Sequence, residues 1–345
     1  MAKPQTLLLC LLSLGCVSRE ELQANAPPAI AFHSPGKLRI SNQADEAEKR
    51  GFADFTGDGI TDMIEIVDLA WFGQEWVGRI FKGEKTADGL VTFLDPYQVA
   101  LPITEEWFTS QTKFDTADIN GDGYADVVIA QLDDDKYTIQ VGINQRDGKT
   151  FQLVKNITYD DQPLGSRVFQ VVASLPIDDD HSINDFFKMD WADVDGDKKD
   201  DLFLMWESNS DNLSVEVWLS ESSSDVANEL RFGGKKSFQL NDLLHNLSIR
   251  ELDTEDVNGD HRADFWLYDP SVGDGLRIVI ATNEGNRYAL HKDFVGEELD
   301  LDVIGFDKMD SFDVNLDGCA DYIHVGTLWS DCYMSYLLAP CSPAK

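Results

Sequence analysis

Five times along the chain an acidic turn is followed at once by a short apolar run: Met63-Ile64-Glu65-Ile66-Val67, Val127-Val128-Ile129-Ala130, Leu202-Phe203-Leu204-Met205-Trp206, Phe265-Trp266-Leu267-Tyr268 and Tyr322-Ile323-His324-Val325. These runs scarcely alternate, as expected of strands covered on both faces. A polar turn then leads to a second run at Tyr137 to Val141, Ser214 to Leu219 and Leu276 to Ile280. A glycine-led turn next reaches an aromatic: Gly89 to Phe93, Gly148 to Phe151, Gly234 to Phe238 and Gly285 to Tyr288. Counting the strand that enters each acidic turn, every unit predicts four short antiparallel strands. Such units repeated radially predict an all-β fold, a β-propeller. After Asp321 only 24 residues remain, too few for four strands, and Gly36-Lys37-Leu38-Arg39-Ile40 resembles Gly148-Lys149-Thr150-Phe151-Gln152. The N-terminal strand is therefore predicted to complete the last of five blades and close the ring.

The acidic turns carry the chemistry. Each reads Asp-x-(Asn/Asp/Thr)-x-Asp-x-x-x-Asp, with oxygen-bearing side chains at positions 1, 3, 5 and 9, and the starts lie 64, 75, 63 and 57 residues apart. That spacing wraps backbone around a hard cation of the calcium type, with the carbonyl of position 7 as a further ligand. The candidate ligands are Asp54, Thr56, Asp58, Ile60 and Asp62 in loop 1, and Asp118, Asn120, Asp122, Tyr124 and Asp126 in loop 2. Loop 3 offers Asp193, Asp195, Asp197, Lys199 and Asp201; loop 4 offers Asp256, Asn258, Asp260, Arg262 and Asp264. Loop 5 offers Asp313, Asn315, Asp317, Cys319 and Asp321. Up to five structural Ca2+ ions are expected. An EF-hand is excluded, because it needs a Glu at position 12 and flanking helices. Position 12 is Glu65 once, then Ile129, Leu204, Leu267 and His324, all in β-type runs. Loops 1, 3 and 4 depart from the pattern: Thr56 is a weaker ligand, and Lys198 and His261 replace the glycine of position 6, where a tight turn favours positive φ.

The stretch Asp118-Ile119-Asn120-Gly121-Asp122-Gly123-Tyr124-Ala125-Asp126-Val127-Val128-Ile129 resembles the calcium loop of the FG-GAP/VCBS repeat family, which includes the integrin α-subunit propeller. The resemblance covers about residues 30 to 345 and implies a propeller whose loops join neighbouring strands of a blade. The flanking FG and GAP signatures of integrins are not recognisable here, which argues against an integrin-like partner. The family spans adhesion proteins, lectins and propellers attached to enzymes, so the resemblance implies no single activity.

Charge narrows the partners. Against 28 Lys and Arg stand 63 Asp and Glu, a formal charge of −35, which repels nucleic acid and anionic membranes. The loops account for 17 of these carboxylates. Eight Trp and 19 Phe supply ample core for a folded chain.

The first 15 residues read as a signal peptide: Lys3, then an apolar run from Thr6 to Gly15 too short to span a bilayer. It ends in Ser13-Leu14-Gly15-Cys16, which resembles a bacterial lipoprotein signal with Cys16 as the lipidation site, although Ser13 stands where Leu is usual. Ser13 and Gly15 equally suit an ordinary secretory signal. Either reading exports the protein: to a bacterial outer membrane or cell surface through a lipid anchor on a 16–29 tether, or as a secreted or periplasmic chain. The domain boundary is placed at residues 30–345.

Export also bears on the cysteines. In the final hairpin, partners should have numbers summing to about 659, which sets Cys319 opposite the region next to Cys341 and Cys332 opposite Thr327. Cys319–Cys341 is the expected disulfide, with Cys332 free.

Catalytic motifs are missing from the sequence: no Gly-x-Ser-x-Gly elbow, no glycine-rich phosphate loop, no His pair at ligand spacing. Acidic pairs such as Glu105-Glu106 and Glu297-Glu298 are expected by chance in so acidic a chain. Trp206 and Trp266 fall in apolar runs and read as core. Trp71, Trp76, Trp107 and Trp329 lie in or beside connections, where they either stack on sugars or pack between blades. The stretch around Asp178-Asp179-Asp180-His181 is the longest irregular one. The expected function is a non-enzymatic surface or periplasmic scaffold that binds a protein or glycan. The alternative is a carbohydrate-active enzyme with an acidic site in the propeller channel.

Overall fold

The computed structural model describes residues 33–41, 47–67, 77–101, 112–133, 136–154, 156–159, 162–163, 169–170, 187–209, 212–221, 229–240, 251–269, 276–285, 287–296, 306–328, 331–339 and 341. The signal peptide, Cys16, the tether, Trp71, Trp76, Trp107, Trp329, both acidic pairs and the 178–181 stretch lie outside these residues.

Strands form five antiparallel sheets, the blades of a β-propeller. From the axis outward, blade 1 is Ala47–Ala53, Asp62–Val67, Val77–Phe81 and Tyr97–Val99. Blade 2 is Thr112–Ala117, Asp126–Asp133, Lys136–Asn144 and Phe151–Leu153. Blade 3 is Phe187–Ala192, Asp201–Asn209, Asn212–Glu221 and Glu229–Leu240. Blade 4 is Glu251–Glu255, Asp264–Asp269, Leu276–Asn283 and Tyr288–Gly296. Blade 5 is Phe306–Phe312, Asp321–Leu328, Asp331–Leu338 and, from the other end of the chain, His33–Ser41. The N-terminal strand thus closes the ring, with Lys37 opposite Ser335. Each innermost strand contacts those of both neighbouring blades, and the circuit returns from blade 5 to blade 1.

The second strand of each blade is buried on both faces, and its side chains divide between two cores. Val127 and Ile129 enter the cluster shared with blade 1, whereas Val128 and Ala130 enter the one shared with blade 3. Leu202 and Leu204 face blade 2; Phe203 and Met205 face blade 4. This is why the runs lack alternation. Five such clusters, one per junction, form the core. Trp266 is fully buried among them against Tyr322, at a centroid distance of 5.9 Å, as expected of a core tryptophan. Trp206 lies in blade 3's second strand.

Two expectations are corrected. The segment ending at Phe93 is not the outer strand of blade 1: Gly83–Lys85 and Val91–Phe93 make a separate hairpin, and Tyr97–Val99 takes the outer place. The hairpin's apolar face is used elsewhere, with Val91 and Phe93 packing on Phe312 and Val314 of blade 5. Gly234 is not a turn either. It pairs with Leu219 inside the long outer strand, and Gly233 is the extra residue of a bulge there. A side chain at Gly233 would strike that of Glu221, at 1.5 Å, which is the reason for glycine at this bulge. Blade 3 also carries an addition: Asn156–Tyr159 runs parallel to its outer strand and pairs with Gln162–Pro163.

Candidate metal centres

All five acidic turns link the innermost strand to the second strand of a blade, and they share one internal geometry. Positions 4 and 6 are left-handed in every loop. Gly57, Gly121, Gly196, Gly259 and Leu316 have φ of 70°, 70°, 85°, 76° and 57°; Gly59, Gly123, Lys198, His261 and Gly318 have 78°, 82°, 71°, 65° and 93°. Lys198 and His261 therefore keep the glycine conformation, at a steric cost of about 1–2 kcal/mol each. Leu316 bears the same cost at position 4.

This path turns the backbone amides toward the first aspartate. Asp54 accepts from Gly57 at 2.7 Å and Gly59 at 2.6 Å, Asp193 from Gly196 at 2.7 Å and Lys198 at 2.8 Å, and Asp256 from Gly259 and His261 at 2.7 Å each. Burial raises the carboxyl of Asp54, Asp118, Asp193 and Asp313, opposed by these amides. Position 5 caps the turn by accepting the position 7 amide, as from Tyr124 to Asp122 at 3.0 Å. Its other oxygen meets a cation in three loops: Lys82 on Asp58 at 2.8 Å, Arg146 on Asp122 at 2.9 Å and Lys199 on Asp197.

Position 9 is a latch. One oxygen accepts from the position 2 amide, the other from the far end of the third strand or from one or two residues beyond it. The partners are Gly83 for Asp62, Asn144 for Asp126, Ser220 for Asp201, Asn283 for Asp264 and Ala339 for Asp321. Burial is the leading cause that pushes Asp62 up to about 6, Asp321 to about 7, and Asp201 and Asp264 to about 8. Asp126 is raised well above the usual range for the same reason.

The loops also bind one another. The position 8 amide of one loop donates to the position 1 carbonyl of the loop before: Ala125 to Asp54 at 2.7 Å, Asp200 to Asp118 at 3.0 Å, Ala263 to Asp193 at 2.7 Å and Ala320 to Asp256 at 2.8 Å. The side chain of position 7 covers the position 4 glycine of the loop before. A Cβ on Gly57 would stand 2.3 Å from the Tyr124 ring, on Gly121 2.8 Å from Lys199, and on Gly259 3.0 Å from Cys319. Asn144 bridges loops 1 and 2, donating to the carbonyls of Phe55 at 3.0 Å and Ala125 at 3.1 Å. Asn283 does the same for loops 3 and 4, to Val194 at 2.9 Å and Ala263 at 3.2 Å.

The donor set fits a calcium-type ion. Side-chain oxygens of Asp193, Asp195 and Asp197 lie within 4.8 Å of one another, about the span of two oxygens on one ion at 2.3–2.6 Å. The hydroxyl oxygen of Thr56 is buried without a hydrogen-bond partner. Every candidate side-chain ligand is oxygen. The sulfurs near Asp317 add no thiolate, because Cys319 and Cys341 form a disulfide with Cα atoms 5.5 Å apart, as the hairpin register predicts.

The motif does not point to a second acidic set on the innermost strands. Three residues before each loop stand Gly51, Asp115, Asp190, Asp253 and Asp310. Aligning the five copies would have exposed the shared offset.

No family model matches this chain, and no curated protein matches it. Among solved structures, the chain is similar to the Tc holotoxin pore of Photorhabdus luminescens at 14% identity and a TM-score of 0.41, covering 92% of this chain and only 15% of the toxin chain. It is also similar to a thermostable family-43 glycoside hydrolase at 11% identity and TM-score 0.45, covering 88% and 98% of the two chains. AofleA from Arthrobotrys oligospora matches at 8% identity and TM-score 0.40, over 89% and 87%.

Proposed function

We propose that this is an exported propeller of the FG-GAP/VCBS type, stabilised by calcium in its five loops, that serves as a non-enzymatic scaffold binding a protein or glycan. One observation carries the calcium reading: five loops repeat a left-handed pair of positions, and in loop 3 that turn brings side-chain oxygens of Asp193, Asp195 and Asp197 within 4.8 Å of one another. The ion would be held by positions 1, 3, 5 and 9 and the carbonyl of position 7. It would offset the mutual repulsion of the carboxylates and pin each loop between two strands. By mass action, an ion at twentyfold its dissociation constant adds about 1.8 kcal/mol per site. Melting in calcium and after exhaustive chelation tests this; an unchanged midpoint sinks it.

The scaffold reading draws on the use of the loop carboxylates, which accept backbone amides and so serve architecture. The second reading, a carbohydrate-active enzyme, has a specific observation in its favour: Asp115, Asp190, Asp253 and Asp310 on the innermost strands. A glycan array run with a hydrolase and lyase screen separates the two. Turnover abolished by Asp190→Asn would replace the scaffold with the enzyme.

A further inference from the structure

In each acidic loop the carbonyl of position 7 and the amide of position 8 belong to one peptide group. In four loops the amide end of that peptide is bonded to the loop before: Ala125 to the carbonyl of Asp54, Asp200 to Asp118, Ala263 to Asp193 and Ala320 to Asp256, at 2.7–3.0 Å. These peptides are trans, and a planar trans peptide points its C=O and N–H in opposite directions. The position 7 carbonyl, the candidate backbone ligand of its own loop, therefore points away from the loop that its amide partner occupies. The acceptor is in each case the position 1 residue, whose carboxylate belongs to the donor set of that preceding loop. One rigid plane thus joins a ligand atom of one loop to a ligand residue of the next.

Side chains reinforce two of these links. The Asn144 amide donates to the position 9 carboxylate of loop 2 at 2.8 Å, while its side chain donates to Phe55 of loop 1 at 3.0 Å. The Asn283 amide holds the position 9 carboxylate of loop 4 at 2.7 Å, and its side chain reaches Val194 of loop 3 at 2.9 Å. The closing junction has no such plane. Among the described residues, Thr61 at position 8 of loop 1 makes no bond to Asp313 of loop 5; Val91 of the hairpin donates to Val314 there instead, and its peptide belongs to no loop. The links therefore run as a line from loop 1 to loop 5, not as a ring.

We infer, resting on the calcium reading, that the five loops bind calcium as a coupled line: each filled loop raises the affinity of its linked neighbours, and loops 5 and 1 do not feel one another. A cation on the position 7 carbonyl polarises the peptide and strengthens its N–H as a donor. It also fixes the plane, so the next loop to fill has less freedom left to lose. A link equivalent to one ordinary backbone hydrogen bond changes a neighbour's affinity by about fivefold. Bare electrostatics gives the opposite sign. A loop that loses one carboxylate together with its divalent ion becomes more negative by one charge, which would tighten the loops on both sides of it.

Calcium titration of the full-length chain, followed by nuclear magnetic resonance with glycine-selective labelling, reads each loop through its own amide: Gly57, Gly121, Gly196, Gly259 and Gly318 each lie at position 4 or 6. Asp58→Asn in loop 1 and Asp317→Asn in loop 5 each remove one exposed ligand and leave the blade cores untouched. Asp58→Asn should raise the half-filling concentration of loop 2 about fivefold and leave loop 5 as in wild type. Asp317→Asn should do the same to loop 4 and leave loop 1. Linked neighbours that fill as in wild type would overturn the line. Equal weakening on both sides of the emptied loop marks a general loss of stability, and tightening on both sides marks charge repulsion alone; either overturns it as well. If no glycine amide of the wild type responds to calcium, the calcium reading fails and the line with it, whereas independent filling of all loops sinks the line and leaves the calcium in place.

Discussion

Four junctions around the ring are built alike, and the fifth, where the chain's two ends meet, is built from other parts. At the regular junctions a position 8 amide bonds the previous loop, and a position 7 side chain covers its glycine. At the junction of blades 5 and 1 the interloop bond comes from the hairpin, Val91 to the carbonyl of Val314 at 2.8 Å. Position 4 there is Leu316, which, like Ile60 of loop 1, packs against the apolar cluster of that junction. Three aromatics fill the space: Phe52 stacks on Phe312 at 5.3 Å, and Phe93 meets Phe312 edge-on at 6.2 Å. A buried ion pair, Arg50 to Glu65 at 3.0 Å, lies in the innermost pair of strands of blade 1. All five junctions have an apolar cluster; at loop level the regular ones add polar contacts from loop to loop, whereas the closing one adds the hairpin and its aromatics.

That contrast yields its largest test through the proposed calcium. Chelation should lower stability by several kcal/mol, at about 1.8 kcal/mol per filled loop, and should act on the regular junctions first. Hydrogen exchange of the Ala125, Asp200, Ala263 and Ala320 amides should accelerate far more than that of Val91. Uniform acceleration would dissolve the distinction. The same state should respond to pH. Asp62, Asp321, Asp201 and Asp264 titrate near 6, 7, 8 and 8 in the metal-free fold, above their unfolded value of 3.8, with burial the main cause. The folded chain then holds more protons than the unfolded one between about pH 4 and pH 8, so stability falls as pH rises through that window. Denaturant midpoints in chelator should decline from pH 5 to pH 8, and calcium should flatten the decline.

Next in size is the crowding of position 4. Gly57→Ala places a methyl 2.3 Å from the Tyr124 ring at φ of 70°, and should cost about 3 kcal/mol from overpacking and left-handed strain together. Gly196→Ala has the same strain, but its nearest neighbour is 3.5 Å away, so it should cost about 1 kcal/mol. Equal losses in urea titrations would show that the covering side chain carries no weight.

Asn144 and Asn283 offer a third test. Each donates to two buried loop carbonyls, so Asn144→Ala and Asn283→Ala should each cost about 2 kcal/mol. Neither residue carries a motif signal; in sequence each is a polar residue at the end of an apolar run. The blades were legible because the acidic loop recurs at blade-length intervals and the strand after it is apolar on both faces. The closing hairpin was not, since Gly89 announces a turn without saying which strand the next residues join. Position 7 was legible as a carbonyl ligand, while its side chain's work on the neighbouring loop needed the spatial order of blades. The Cys319–Cys341 bridge followed from antiparallel register alone.

The smallest effect separates the two kinds of junction by sign. Lys198 and His261 hold left-handed φ at exposed positions of regular loops. Replacing either by glycine removes about 1–2 kcal/mol of strain and gives back part of it as unfolded-chain entropy, about 0.5–1 kcal/mol. Lys198→Gly and His261→Gly should therefore each stabilise by about 0.5–1 kcal/mol. Leu316 carries comparable strain, with φ of 57°, but its side chain packs in the closing cluster. Leu316→Gly relieves that strain and forfeits up to about 2 kcal/mol of apolar burial, so with the entropy term it should destabilise by about 1 kcal/mol. Melting midpoints that rise for the first two and fall for the third would mark Leu316 as a packing residue on a glycine backbone. A rise in all three would mean the closing cluster does not depend on it.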